Sequence, residues 1–144
     1  MREIKFRGKS IEMDVTRGTW YYGSLDVIKD MCYIRTHELQ ANGYRAVLAT
    51  QVEPESVGQF TDLYDKNGNE IYEKDIVKVI CEEKSHIYQV IFLNGMFALN
   101  NPSCCEVCKE GNSHHGSLEE AFCLRDSIER IGNIFNNKYL NYEQ

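Results

Sequence analysis

Apolar and polar side chains alternate through much of this sequence, a pattern typical of strands that bury one face. In residues 75–81 the alternation puts Val77, Val79 and Cys81 on one side of a half-buried strand. Residues 86–93 carry apolar side chains on both sides, which predicts a central strand covered on two faces. The same pattern predicts further strands at 4–9, 20–27, 31–36, 46–52, 96–99 and 128–134.

Two short segments between these strands predict tight hairpins. Asp65-Lys66-Asn67-Gly68 ends in a glycine that supplies a positive φ, and Asn94-Gly95 is the strongest two-residue hairpin pattern. Short strands joined by such turns favour a small barrel or sandwich over a fold with alternating strands and helices.

Helices are expected in only two places. Pro54 suits the first position of a short helical turn that ends before Gly58. Ser117-Leu118-Glu119-Glu120 forms a capping box, and Leu118, Ala121 and Phe122 then share one face, which predicts a short helix over 117–124.

The charge balance argues against a general nucleic-acid binder. The 144 residues carry a formal net charge of −6, whereas binding to phosphates rests on clustered Lys and Arg. A local basic strip stays open as an alternative, because alternation puts Lys5, Arg7 and Lys9 on one strand face, and Lys78 is a further candidate. No apolar run reaches the length of a membrane span and none opens the chain, so we expect a cytoplasmic protein with no membrane partner.

A metal site is the sharpest chemical hypothesis. Cys105 and Cys108 form a Cys-x-x-Cys knuckle, and His114 follows in a polar loop, so a zinc-stabilised domain is an alternative. A single knuckle is a weak pattern, and we therefore assign no metal and no cofactor. Cys32 and Cys81, like Cys123, lie in apolar runs and are expected to be reduced core residues.

Catalytic patterns are absent from the sequence. Glu70, Glu73 and Asp75 cluster near the first hairpin, where Asp75 is expected to bond turn amides and the glutamates to be solvated. His37 in a predicted loop and His86 at a strand start are expected to be surface residues. No nucleophile elbow or glycine-rich phosphate loop is present, so we predict that the protein is not an enzyme.

Several tyrosines are candidates for a surface that binds a partner. They can equally fill the core of a strand with two buried faces. These residues are Tyr21, Tyr64, Tyr72 and Tyr88.

Three groups of motifs resemble the YopX family, whose members are encoded mostly by bacteriophages and prophages. Gly58-Gln59-Phe60-Thr61, Asp65-Lys66-Asn67-Gly68 and Glu70-Ile71-Tyr72-Glu73-Lys74-Asp75-Ile76-Val77 resemble the family's central signature. Residues 2–9 and 20–25 are similar to its opening blocks, and 128–137 to its closing strand and turn. Lys74 departs from the family, which usually has Gly there, and so does the Cys- and His-bearing insertion after Asn100. The resemblance implies a mainly β protein with an SH3-like barrel and no established activity.

Taken together, these patterns predict one mainly β domain over 1–144. An N-terminal β lobe of about 1–60 is expected to pack on an SH3-like barrel of about 61–144. The expected role is non-catalytic binding of a protein partner or of further copies of the chain, with a nucleic-acid-binding module or a zinc-stabilised β domain as alternatives.

Overall fold

The computed structural model describes residues 1–81, 84–100, 116–117 and 128–136. Over these residues the protein is mainly β and forms two antiparallel sheets, which confirms the predicted class. The chain divides into two compact units, Met1–Asp62 and Leu63–Gln144.

The first unit holds the strands up to the start of β5, and their ends lie close to the predicted positions. Strand β3 runs further than expected, to Leu39, so His37 lies in a strand and the loop prediction for it is wrong. The elements are β1 (Phe6–Lys9), β2 (Trp20–Ile28), β3 (Met31–Leu39), β4 (Arg45–Val52), a 3₁₀ helix (Pro54–Ser56) and β5 (Gly58–Tyr64).

The first sheet has the strand order β4-β3-β2-β1-β5, and a short sixth strand follows beside the end of β5. Ile34, Val52 and Phe60 are fully buried and form the centre of the first unit. Val52 packs onto the backbone of Gly8, where an added Cβ would lie 2.6 Å from a Val52 methyl carbon. Gly8 therefore permits a close approach that no larger residue allows.

The second unit contains a five-stranded sheet with the order β10-β9-β8-β7-β11. Asn94 and Gly95 both have positive φ, 52° and 79°, as the predicted β8–β9 hairpin requires. The strands of this unit are β6 (Glu70–Tyr72), β7 (Asp75–Cys81), β8 (Lys84–Leu93), β9 (Met96–Asn100), β10 (Gly116–Ser117) and β11 (Ile128–Asn133).

The core of the second unit forms around β7. Its buried apolar cluster is Ile71, Val77, Val79, Val90, Leu99 and Ile128.

Burial in this sheet differs from the sequence prediction at two points. Ile76 is as fully buried as Val77, so β7 begins with both faces covered. Strand β8 is central as expected, but Phe92 and Leu93 at its end are exposed. Alternation tells which side chains share a face, but it does not tell what covers that face.

Two finer predictions about the fold are not confirmed. Strands β10 and β11 are opposite edges of the second sheet and do not pair with each other, so the described residues form no closed barrel. The predicted helix over 117–124 lies outside the described residues except for Ser117, which ends β10.

Candidate functional site

The signature hairpin, residues 63–72, comprises the end of β5, the turn 65–68 and β6. Asp65 is buried and organises the turn. Its Oδ1 accepts the backbone N–H groups of Asn67 and Asn69, both at 2.9 Å, and its Oδ2 accepts the Asn69 side-chain amide at 3.1 Å. Gly68 closes the turn with φ of 80° and an N–H bond to the Asp65 carbonyl. The predicted turn is thus present, with an aspartate at its centre.

The signature hairpin also covers the outer edge of β11. Asp65 Oδ2 accepts the N–H of Arg130 at 3.0 Å, and the N–H of Lys66 donates to the carbonyl of Ile128 at 3.0 Å. A β-bulge lies directly beside these contacts, because the register against β7 shifts between Arg130 and Gly132. An unpaired strand edge is a template for unwanted pairing, and here the turn satisfies its polar groups.

These contacts determine the protonation of Asp65. Burial of the carboxyl group raises its pKa, but hydrogen bonds from Arg130, Asn69 and Asn67 outweigh burial and hold the pKa below its usual value of 3.8. Hydrogen bonds that favour the charged form have this effect. Asp65 is therefore an anion near neutral pH and serves as a structural acceptor.

A second set of polar contacts lies beside the hairpin. Tyr72 is fully buried, and its hydroxyl donates to Glu70 Oε2 at 2.6 Å. The fully buried Asp75 accepts the Tyr72 N–H on Oδ2 at 2.8 Å, while Arg130 donates to the Glu70 carbonyl at 3.1 Å. Asp75 thus bonds a turn amide as predicted. Glu70 is half-buried and bonded, so its prediction as a solvated residue is wrong.

The remaining candidates for acid-base chemistry are dispersed. His37 is exposed on β3 in the first unit, whereas His86 is half-buried on β8 in the second. The carboxylates of Asp65 and Asp75 accept hydrogen bonds from the protein's own amides, and that of Glu70 accepts one from a hydroxyl group. These hydrogen bonds stabilise the backbone of the hairpin and of the turn that follows it.

Lys74 occupies the left-handed region that the family's usual Gly adopts readily. Its φ is 72°, its N–H donates to the Val90 carbonyl at 2.7 Å, and its carbonyl accepts the N–H of Ile134 at 3.2 Å. The Lys74 ammonium lies 5.8 Å from the centre of the Phe135 ring. Lys74 therefore adopts a positive φ that glycine adopts at lower cost.

The central residue of the candidate basic strip near the N-terminus is buried. Arg7 is only 2% exposed, and its guanidinium lies 4.9 Å from the Trp20 ring centre. The Lys5 ammonium lies 5.1 Å from the Phe60 ring, and Lys9 is half-buried. Aromatic rings attract cations in this arrangement. The spacing of these residues was visible in the sequence, but the rings near Arg7 and Lys5 come from β2 and β5, whose pairing with β1 the pattern did not predict.

The four tyrosines that were candidates for a partner surface differ in how far they are buried. Tyr72 is fully buried and fills the interior, the second of the two roles left open for these tyrosines. Tyr64 is exposed, and Tyr21 and Tyr88 are half-buried.

Sequence analysis missed a larger exposed surface on the first unit. We call it the β2–β4 apolar surface. The one sequence feature that indicated this surface is the run 46–50, which lies in a predicted strand and contains no charged residue. Its exposed members lie on both faces of strands β2–β4. Val27 and Leu48 lie on one face, Ile28, Met31, Leu39 and Val47 lie on the other, and Tyr44 lies between β3 and β4.

The zinc candidates Cys105, Cys108 and His114 lie outside the described residues. Within the part of the chain that the structure describes, no group of three or more His, Cys, Asp or Glu side chains is placed to hold a metal ion. Cys32 is half-buried on β3 with a free thiol. None of the described residues belongs to a helix with the length and hydropathy of a membrane span.

The comparisons with known proteins identify the family and show a shared fold. The sequence profile described as YopX protein matches residues 5–140. The chain therefore belongs to the YopX family, as its motifs predicted. The crystal structure of protein yopX from Bacillus subtilis is similar with a TM-score of 0.51 and 17% sequence identity, covering 97% of this chain and 96% of that chain. This likeness shows a shared fold. No significant match was found among the curated proteins.

Proposed function

We propose that this protein is a non-catalytic protein-binding module of a phage or prophage, acting in the cytoplasm, and that its first unit carries the binding surface. The observation that supports this proposal most directly is the β2–β4 apolar surface. Val27 is 57% exposed and Leu48 47%, and the pairing registers put both on one face of strands β2–β4. Val47, which is 50% exposed, lies on the opposite face, so apolar side chains reach solvent on both faces of these strands. Clustered exposed apolar residues mark interaction sites in folded proteins.

Charge favours a protein partner over a nucleic acid. The chain has a formal net charge of −6, and Arg7 in the candidate basic strip is buried against Trp20. Loss of that arginine from the accessible surface removes the centre of a phosphate-binding strip.

The polar groups near the signature hairpin support a non-catalytic role. Asp65 and Asp75 accept backbone amides, and Glu70 accepts a buried hydroxyl group. A catalytic acid or base must reach a substrate proton, and carboxylates that hold a hairpin together are not arranged for that task.

Site-specific photo-crosslinking in host cells tests this proposal. A photoreactive amino acid is placed at Leu48, and the matched control carries it at Val15, an exposed apolar position in the β1–β2 loop. We expect protein adducts at position 48 that are absent at position 15. Nucleic-acid adducts at position 48, or identical adducts at both positions, would refute the proposal.

A further inference from the structure

Strand β4 is the outermost strand of the first sheet. One of its edges pairs with β3 without a register shift, from Cys32↔Val52 to Leu39↔Arg45. Among the described residues, only the end of the other edge is covered. There Ile11 donates to the Gln51 carbonyl at 3.2 Å, and the Gln51 N–H donates to Glu12 Oε1 at 3.2 Å.

These bonds reveal which backbone groups of β4 point outward. In an antiparallel strand, alternate residues direct both their N–H and C=O groups toward the same neighbour. Because both groups of Gln51 point away from β3, those of Ala49, Val47 and Arg45 point outward too. In the described part of the chain, no hydrogen bond joins the outward groups of these three residues to another segment.

Beyond Arg45 at its start, the open edge lacks the usual protection against pairing. The segment from Ala46 to Val52 contains no charged residue and no proline, and its pairing with β3 shows no bulge. Natural proteins use these devices to keep exposed edges from adding another strand. By contrast, the signature hairpin covers the outer edge of β11.

We propose that β4 pairs antiparallel with β4 of a second copy of this chain, around a two-fold axis at Val47. This inference rests on the proposed binding role of the first unit and names its partner. In this register Val47 of one copy lies opposite Val47 of the other. Arg45 of each copy lies opposite Ala49 of the other. Three outward N–H and three outward C=O groups per copy then give six hydrogen bonds between the sheets.

The side chains favour a second copy over an unrelated strand. A two-fold axis perpendicular to the sheet keeps each face continuous, so Ala46 meets Leu48 of the second copy on one face and the two Val47 side chains meet on the other. The register brings no like charges directly opposite each other. Arg45 lies one pairing step from Gln51 of the second copy, where the Glu12 carboxylate caps the strand edge. The cation and the anion therefore complement each other at both ends of the interface.

Analytical ultracentrifugation of the full chain tests this pairing at concentrations from about 1 to 500 μM. We expect a reversible dimer for the wild type. Val47→Pro removes an outward N–H that the monomer does not use, and proline is tolerated on such edges. Because two of the six bonds disappear, the dimer dissociation constant should rise about tenfold or more.

Two further substitutions keep the test decisive if proline impairs folding. Val47→Lys places a charge at the centre of the interface, and it should also yield a monomer. Val15→Lys makes the same change at an exposed valine in the β1–β2 loop, outside the β2–β4 apolar surface, and should leave the dimer unchanged. A wild type that stays monomeric overturns the inference, and so does a dimer that persists in both Val47 variants.

Hydrogen exchange identifies the surface that pairs. The amides of Arg45, Val47 and Ala49 should exchange more slowly as protein concentration rises, whereas those of Ala46 and Leu48, already bonded to β3, should not change. Concentration-dependent protection confined to other strands would also overturn the inference. If the protein stays monomeric while position 48 crosslinks to another protein, the self-pairing fails and the proposed function stands.

Discussion

Replacing Asp65 with alanine tests whether the signature hairpin stabilises the second unit. The substitution removes both acceptor oxygens, and with them the bonds to Asn67, Asn69 and Arg130. The turn residues 66–69 are exposed, so water can reach the two turn amides after the change. The Arg130 amide lies in β11, and it loses its acceptor next to the bulge.

The loss in free energy of unfolding can be worked out from these contacts. A hydrogen bond to a charged group contributes about 1.5–3 kcal/mol, and a rehydrated turn amide costs a fraction of that. We therefore expect Asp65→Ala to lower the free energy of unfolding by about 2–4 kcal/mol, with most of the loss at Arg130. Asp65→Asn keeps one acceptor oxygen and should cost about half as much.

Urea denaturation with two separate reporters measures the effect. Trp20 is the single tryptophan and reports on the first unit, whereas hydrogen exchange at Val77, Val79 and Val90 reports on the core of the second. Asp14→Ala is the matched control, because Asp14 also bonds turn groups, those of Thr16, but is exposed. Equal losses of stability for Asp65→Ala and Asp14→Ala would refute the role assigned to the hairpin.

The effect of Asp65 should depend on pH. Its pKa in the folded protein is lowered from 3.8, so the stability it contributes is fully present above the unfolded value and is lost as pH falls through the folded value. The difference in stability between wild type and Asp65→Ala should therefore be constant above about pH 5 and shrink below 3.8. A difference that grows on acidification would contradict the observed direction of the pKa shift.

Three further substitutions test local contacts. Lys74 has φ of 72°, so Lys74→Gly should be more stable than Lys74→Ala by about 1 kcal/mol in thermal unfolding, since glycine avoids the left-handed strain. Gly8→Ala should cost about 1–3 kcal/mol by Trp20 fluorescence, because the new methyl group meets the buried Val52. Ser56→Ala should cost about 1–2 kcal/mol in urea, because Ser56 Oγ accepts the Lys9 N–H at 2.8 Å.

Each of these substitutions has its own control. Lys74→Ala removes the same side chain as Lys74→Gly, so equal stabilities would exclude strain at this position. Gly8→Ala combined with Val52→Ala should cost less than the two single changes together, and strict additivity would contradict the contact. Replacing the exposed Ser24 with alanine should be nearly neutral, and a matching loss of stability would show that the bond from Lys9 is not the cause of the Ser56 effect.

Local sequence patterns predicted the strands and turns well, because both depend on neighbouring residues. The Asn94-Gly95 hairpin and the 3₁₀ helix after Glu53 appear where their turn chemistry required them. Asp75 also bonds a turn amide as predicted, because its partner Tyr72 lies only three residues away.

Contacts between distant residues could not be predicted in the same way. The burial of Arg7 depends on Trp20 across the β1–β2 pair, and the role of Asp65 depends on Arg130, which lies 65 residues later in the sequence. The open edge of β4 follows from the strand order. A charge-free run such as 46–50 fits a central strand as well as an edge strand, so the pattern alone could not reveal the exposed surface.

The bond between Asp65 and Arg130 also affects the order in which the two units can fold during synthesis. The pairings of the first unit are complete once Gln59 has joined β1, so that unit can fold while the ribosome is still making the rest. The signature hairpin must wait for β11, nearly the last strand to emerge. We expect a nascent chain halted before residue 128 to expose β7 and the unsatisfied Asp65 carboxylate, and chaperones to act at this stage.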